Sequence, residues 1–195
     1  MAPFDEIARI LARHRPKLLD ICGFNRAAVA LLLREGSQGM DILFIERAPM
    51  AGDPWSGDIS FPGGKMEDGE SDPRQTAERE TFEEIGIDLE GGCYLGRLSD
   101  LTGARLPMQV SCFVYGVEGN RPFLPSREVR DVFWVSLADL AAPQRQITAR
   151  VSFDGETFER PAILLPPAGK PVLWGLTHRL VTEFMELLGL KPIAL

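Results

Sequence analysis

The segment FPGGKMEDGESDPRQTAERETFEEIGI, residues 61–87, constrains this chain more than any other stretch. Asp72 is a good N-cap, Pro73 suits the first helical position, and Gln75 completes an Asp-x-x-Gln capping box. Gly86 suits a left-handed C-terminal cap, so the spacing predicts a helix from about Pro73 to Ile85. With Glu80 set at zero, Glu84 falls at about +40° and Glu83 at about −60° on a helix of about 100° per residue. The three carboxylates therefore share one sector, while Ala77, Thr81, Phe82 and Ile85 are assigned to another that packs on a sheet. Arg79 stands four residues before Glu83 and is placed to tether it.

Like charges at this spacing repel, and the penalty grows once the face is partly enclosed. A hard divalent cation relieves it, because Mg²⁺ takes a few carboxylate oxygens and keeps room for waters and phosphate. On its own, such a helix reads first as a solvated acidic face. The Phe-Pro-Gly-Gly-Lys turn just before it changes the balance, because glycine lets backbone approach a ligand closely. It is not a P-loop: GxxxxGK[ST] requires glycine at 59 and Ser or Thr at 66, where the chain has Ile59 and Met66. Turn and helix together read as an acidic site that holds metal, through which the metal holds phosphate.

The rest of the chain supplies a sheet. AAVALLL (27–33) and DILFIER (41–47) read as strands joined by EGSQG, and residues 48–64 as a Pro/Gly-rich loop with a short central strand. CYLGRLSDL (93–101), PMQVSCFVYGV (107–117) and DVFWVSL (131–137) are further strands, the last followed by a short helical ADLA. Residues 148–166 read as a hairpin turning at Asp154-Gly155, and a helix from about Leu173 to Leu188 ends at Gly189. Without strict βαβ alternation, this mixture predicts an α+β fold with a mixed β-sheet. Phe4, Ile7 and Leu11 fall at helical spacing, giving a short amphipathic N-terminal helix and an extension over 1–23 ahead of one domain, 24–195.

Composition narrows the partners. A formal charge of −7 disfavours a general grip on a nucleic-acid polymer. No apolar run approaches the roughly 20 residues that span a bilayer. Asp5 and Glu6 speak against a signal or transit peptide. Cys22, Cys93 and Cys112 form neither a disulfide framework nor a zinc site, so a reducing, cytoplasmic setting is expected. Pairing of two copies as a homodimer through a terminal helix stays open.

These residues resemble the Nudix hydrolases, whose signature is G-x5-E-x7-R-E-U-x-E-E-x-G-U with U a bulky aliphatic. Gly64, Glu70 and the run Arg79-Glu80-Thr81-Phe82-Glu83-Glu84-Ile85-Gly86-Ile87 match it. Two positions depart: the spacer from Glu70 to Arg79 is residues 71–78, eight rather than seven, and Thr81 stands where an aliphatic is expected. The resemblance implies an α/β/α sandwich over roughly residues 24 to 165. It also implies Mg²⁺- or Mn²⁺-dependent hydrolysis of a nucleoside diphosphate linked to another group. By the same carry-over, the resemblance implies Glu80 and Glu84 as metal ligands, with Glu83 joining them directly or through water and the Gly63 carbonyl contributing, while Glu70 and Arg79 hold loop to helix. Glu80 and Glu128 are candidates for the general base.

The upstream stretch is similar to the coenzyme A pyrophosphatase branch, through Arg47-Ala48 and Gly57-Asp58-Ile59-Ser60-Phe61-Pro62-Gly63-Gly64. The arginine expected between them is absent, with Gly52 near its place. Coenzyme A or a derivative is the favoured substrate; nucleotide sugars, ADP-ribose and dinucleotides are alternatives, and a non-catalytic nucleotide-sensing module is an alternative of another class. Arg47 and Gly64 are candidate phosphate contacts and Trp55 a candidate base-stacking residue, each with a plain structural reading beside it. His178 reads as structural.

Overall fold

The computed structural model describes residues 4–190 except 54, 104, 105, 120, 121, 167 and 168. In chain order the elements are α1 (Asp5–Arg13), β1 (Asn25–Gly36), β2 (Gly39–Arg47), β3 (Ile59–Ser60), β4 (Gly63–Lys65) and α2 (Pro73–Ile85). Then follow β5 (Cys93–Arg97), β6 (Leu101–Thr102), β7 (Met108–Gly116), β8 (Val129–Ser136) and α3 (Leu137–Ala141). After a short 3₁₀ turn come β9 (Gln146–Phe153), β10 (Glu156–Ile163) and α4 (Gly175–Leu187).

β1 and β2 form a hairpin paired from Gly36↔Gly39 to Leu33↔Ile42 and then part. β4 takes the vacated edge of β1 through Ala27↔Lys65, Ala28↔Gly64 and Val29↔Gly63, and β3 pairs with Ile45 and Glu46 of β2. This inserted pair carries the Gly63-Gly64 turn into the middle of the sheet. The other edge of β1 runs parallel to β7, and β8 lies antiparallel along β2. A mixed sheet is the result, as expected.

Alternation along the strands sorts two cores. Ala28, Ala30 and Leu32 of β1 and Leu43 and Ile45 of β2 pack under Ala77 and Ile85 of α2. Leu31, Leu33, Ile42 and Phe44 face the other way, against Phe4, Ile7 and Leu11 at the N-terminus and Leu180, Val181, Phe184 and Met185 of α4. Each of the Leu, Ile, Val, Phe and Met side chains among them contributes roughly 1.5–3 kcal/mol when fully buried. The product is a sheet sandwiched by α2 on one side and α1 with α4 on the other. Gly96 and Gly116 admit the N-terminal segment closely, since a Cβ at either would meet Leu11 at 2.7 Å or Phe4 at 2.6 Å.

The boundaries of α2 match the sequence expectation, but two details differ. Asp72 caps by accepting from the Arg74 N–H at 2.9 Å rather than from that of Gln75. Phe82, assigned to the sheet-facing sector, is 59% exposed. The buried arc runs from Thr76 through Glu84, Ala77 and Thr81 to Ile85, with half-buried Glu80 within it, and Phe82 lies about 60° beyond Ile85. Thr81 substitutes well for an aliphatic: it is fully buried, and its hydroxyl donates to the Ala77 carbonyl at 2.7 Å. The final hairpin turns at Asp154 (φ 51°) and Gly155 (φ 75°), as the Asp-Gly pair predicts.

Candidate active site

The Gly63-Gly64 turn meets α2 at very short range. A Cβ on Gly64 would lie 2.4 Å from the Glu80 carboxylate, so glycine is what allows that carboxylate to rest on the strand. Gly63 has φ +153°, and a Cβ there would strike the Ala28 carbonyl oxygen at 2.3 Å. Pro62 O and Met66 N bond to β1, so alternation turns the polar groups of Gly63 away from it. Its N–H donates to Glu84 Oε2 at 2.9 Å, and its carbonyl shares that edge.

Arg79 is the hub of the neighbouring ion pairs. Its Nε donates to Glu70 Oε1 at 3.0 Å, and its Nη1 to Glu80 Oε1 at 2.9 Å and Glu83 Oε2 at 3.1 Å. Glu70 also accepts from the Glu67 N–H at 2.7 Å and the Thr76 hydroxyl at 2.8 Å. Led by the Arg79 hydrogen bond, these donors hold the Glu70 carboxyl down at about 2. The eight-residue Glu70–Arg79 spacer therefore does not part the two side chains.

Glu84 is in the opposite situation. Burial pushes its carboxyl up to about 7, with nearby Glu80 and Glu128 adding to the rise against the Gly63 N–H and Arg47. Glu80 is raised as well, chiefly by desolvation, with Glu83 and Glu128 adding to it against Arg79. Glu83, its side chain 54% exposed, sits on Arg79 and does not line the cleft described next.

The cleft, about 820 Å³, opens beside Glu80 and Glu84. Arg47, Trp55, Gly63, Gly64, Glu80, Glu84 and Glu128 all line it, whereas Glu70, Arg79 and Glu83 stand behind that rim. Glu128 lies just before β8 and is exposed, and its carbonyl accepts from the Ala48 N–H at 2.8 Å, which places it next to Arg47. A bulge between Glu46 and Arg47 redirects the end of β2 at this point. The floor of the cleft is the α4 side of the sheet, where Ala27, Met108 and Val110 form a small cluster covered by Trp55 and Leu176. Phe153 stands 6.0 Å from Trp55, ring to ring, and Phe158 lines the same wall.

Several lining residues carry no local sequence signal. Asp58 accepts from the Trp174 indole N–H at 3.0 Å across 116 positions. Burial, with Asp53 adding to it, pushes the Asp58 carboxyl up to about 6 despite that bond. Asp53 accepts from Arg47 Nε at 3.0 Å and Nη2 at 2.7 Å. His178, read as structural, lines the cleft near the start of α4, and burial lowers its pKa.

Glu80, Glu84 and the Gly63 carbonyl form a partial set of hard oxygen donors. Among the described residues, no three His, Cys, Asp or Glu side chains converge as a complete cage. That partial set suits Mg²⁺ or Mn²⁺, since such ions commonly bind one or two carboxylates and complete their shell with water and substrate phosphate. Two raised carboxylates near a third acid also fit, because a cation favours their ionised forms.

Residues 23–154 match the family model for the NUDIX domain. The chain belongs to the Nudix hydrolase family. It is 33% identical over 135 residues to the human mitochondrial coenzyme A diphosphatase NUDT8, covering 66% of this chain and 54% of that protein. Over 191 residues it is 28% identical to an uncharacterized protein of Schizosaccharomyces pombe, covering 76% and 56% respectively. The chain thus spans little more than half the length of these two relatives. Among solved structures, a MutT/nudix family protein from Enterococcus faecalis superposes with a TM-score of 0.59 at 16% identity, covering 94% of this chain and 69% of that one, which supports the fold.

Proposed function

We propose that this protein is a metal-dependent pyrophosphohydrolase that cleaves the P–O–P bridge of a nucleoside diphosphate linked to a second group, with coenzyme A or a derivative as the favoured substrate. The observation that carries the reading is the junction of Glu80 and Glu84 with the Gly63-Gly64 edge, opening into a cleft large enough for an extended substrate. Glu80, Glu84 and the Gly63 carbonyl would hold Mg²⁺ or Mn²⁺. Once bound, the metal supplies Lewis-acid polarisation of the phosphoryl oxygens and lowers the pKa of the attacking water.

The protein's own groups do the rest. Arg79 fixes Glu80 and the loop through Glu70. Arg47 offers a cation on the rim for substrate phosphate. Glu128 and Glu80 both line the cleft, which supports either as the group that takes a proton from water. Hydrolysis adds that water across the bridge: one phosphorus gains the new oxygen, and the other leaves as a phosphate monoester. The long apolar floor and aromatic wall support an elongated second group, and the similarity to a coenzyme A diphosphatase points the same way.

The test is product analysis with Mg²⁺ or Mn²⁺ and an EDTA control, across coenzyme A, acetyl-coenzyme A, ADP-ribose, NADH, nucleotide sugars, dinucleoside polyphosphates and nucleoside triphosphates. The expected result is adenosine 3′,5′-bisphosphate with phosphopantetheine from coenzyme A. Faster AMP release from ADP-ribose, or sugar phosphate from a nucleotide sugar, would overturn the substrate assignment and keep the reaction class. Binding without turnover of anything would favour a nucleotide-sensing module.

A further inference from the structure

Arg47 stands between two acids. Its Nε and Nη2 both donate to Asp53 Oδ2, at 3.0 and 2.7 Å, while Nη1 stops 4.0 Å from Glu84 Oε1. The two oxygens of Glu84 are not equivalent. Oε2 accepts the Gly63 N–H, which leaves Oε1 as the oxygen open to a cation, and Oε1 is the one Arg47 faces.

A guanidinium beside a buried carboxylate gains by closing to a short, two-pronged bond. Here it would cover the donor atom a metal needs. Asp53 opposes that closure, and its own position is fixed. Asp53 Oδ1 accepts the Trp55 N–H at 3.1 Å, so both its oxygens are engaged. The surrounding turn is closed by Ser56 N–H to the Asp53 carbonyl at 3.1 Å and by Met50 N–H to the Ser56 hydroxyl at 2.9 Å. The Arg47 N–H bonds the Asp58 carbonyl at 3.0 Å, so the backbone at both ends of the loop holds its base.

We propose that Asp53 is a positioning residue which, by holding Arg47, keeps Oε1 of Glu84 open to a divalent cation. The inference rests on the metal-site reading above. It assigns Asp53 a role toward the metal without contact with it, beyond merely clasping the loop.

The test is Mn²⁺ titration of the full chain without substrate, followed by the electron paramagnetic resonance signal of free Mn²⁺, for wild type, Asp53→Asn, Arg47→Gln and the double variant, with melting temperatures alongside. Asp53→Asn is expected to weaken Mn²⁺ binding about tenfold, the range for residues that orient a metal's ligands. Arg47→Gln should bind at least as tightly as wild type, and the double variant should match Arg47→Gln. Arg47→Gln keeps every backbone bond of the loop, so its arm stands even where Asp53→Asn folds poorly. Unchanged binding by Asp53→Asn, weaker binding by Arg47→Gln, or a double variant as weak as Asp53→Asn would each overturn the inference while leaving the metal site standing. No Mn²⁺ binding by wild type would remove the metal site itself, and the inference with it.

Discussion

The two sides of the cleft are built on different principles. The carboxylate side is local: the Gly63-Gly64 turn, Glu70 and α2 lie within 25 residues of one another, and Arg79 ties Glu70, Glu80 and Glu83 together. The aromatic side is assembled from afar, with Trp55 from a loop, Phe153 and Phe158 from the final hairpin, and Leu176 from the start of α4. The family match ends at residue 154, so part of this second wall lies outside it. Under the proposed function the two sides divide the labour: the local side would carry the hydrolytic chemistry, and the assembled side would select what is attached to the phosphate. Adjacent glutamates on α2 sharpen the contrast, since Glu84 has a side-chain exposure of 6% at the strand edge and Glu83 has 54% on Arg79.

If that division holds, Glu84→Gln should lower kcat by at least about 10²-fold, the scale for loss of one preorganised electrostatic group. Glu83→Gln should change it by less than about threefold, in keeping with an exposed pair. Equal losses for the two would break the contrast within the helix. Melting temperatures measured alongside kcat should show Glu84→Gln at least as stable as wild type, because it removes a buried ionisable group.

Gly64→Ala places a methyl where the Glu80 carboxylate lies. A displacement of about 1 Å at a catalytic group can cost about 10²-fold, so we expect a loss of roughly tenfold or more in kcat, with little change in KM. A crystal structure of the variant should show Glu80 moved. Trp55→Ala should act in the opposite way, raising KM about tenfold, near 1.4 kcal/mol of lost contact, with kcat nearly intact. A Trp55→Ala effect confined to kcat would contradict the selective role of the aromatic wall.

The smallest effect concerns Asp58. Its carboxyl is pushed up to about 6 in the folded chain from an ordinary value of 3.8, so between those values the folded state holds the extra proton. The stabilisation is therefore fully present below about 3.8 and is lost as pH rises through about 6. Asp58→Asn keeps an acceptor for Trp174 without ionising. Thermal melts should show the variant gaining on wild type by a few degrees between pH 4 and pH 7. A difference that stays flat with pH would remove the titration account.

The local side was the legible one. Caps, turn residues and helical spacing act over a few positions, so the limits of α2 and the Asp154-Gly155 turn could be read directly. Phe82 was misplaced because the buried arc is set by where α2 lies on the sheet, which spacing alone leaves free to rotate. The insertion of β3 and β4 between β1 and β2, the Asp58–Trp174 bond and the hold of Asp53 on Arg47 depend on strand pairing and loop closure. No local pattern encodes them.

The most direct test of the central claim is an anomalous difference map recorded at the manganese edge from crystals grown with Mn²⁺. The account predicts a peak bounded by the carboxylates of Glu80 and Glu84 and the carbonyl of Gly63, with Oε1 of Glu84 in its shell. A peak elsewhere in the cleft, or none there while the same preparation turns over substrate, would contradict it.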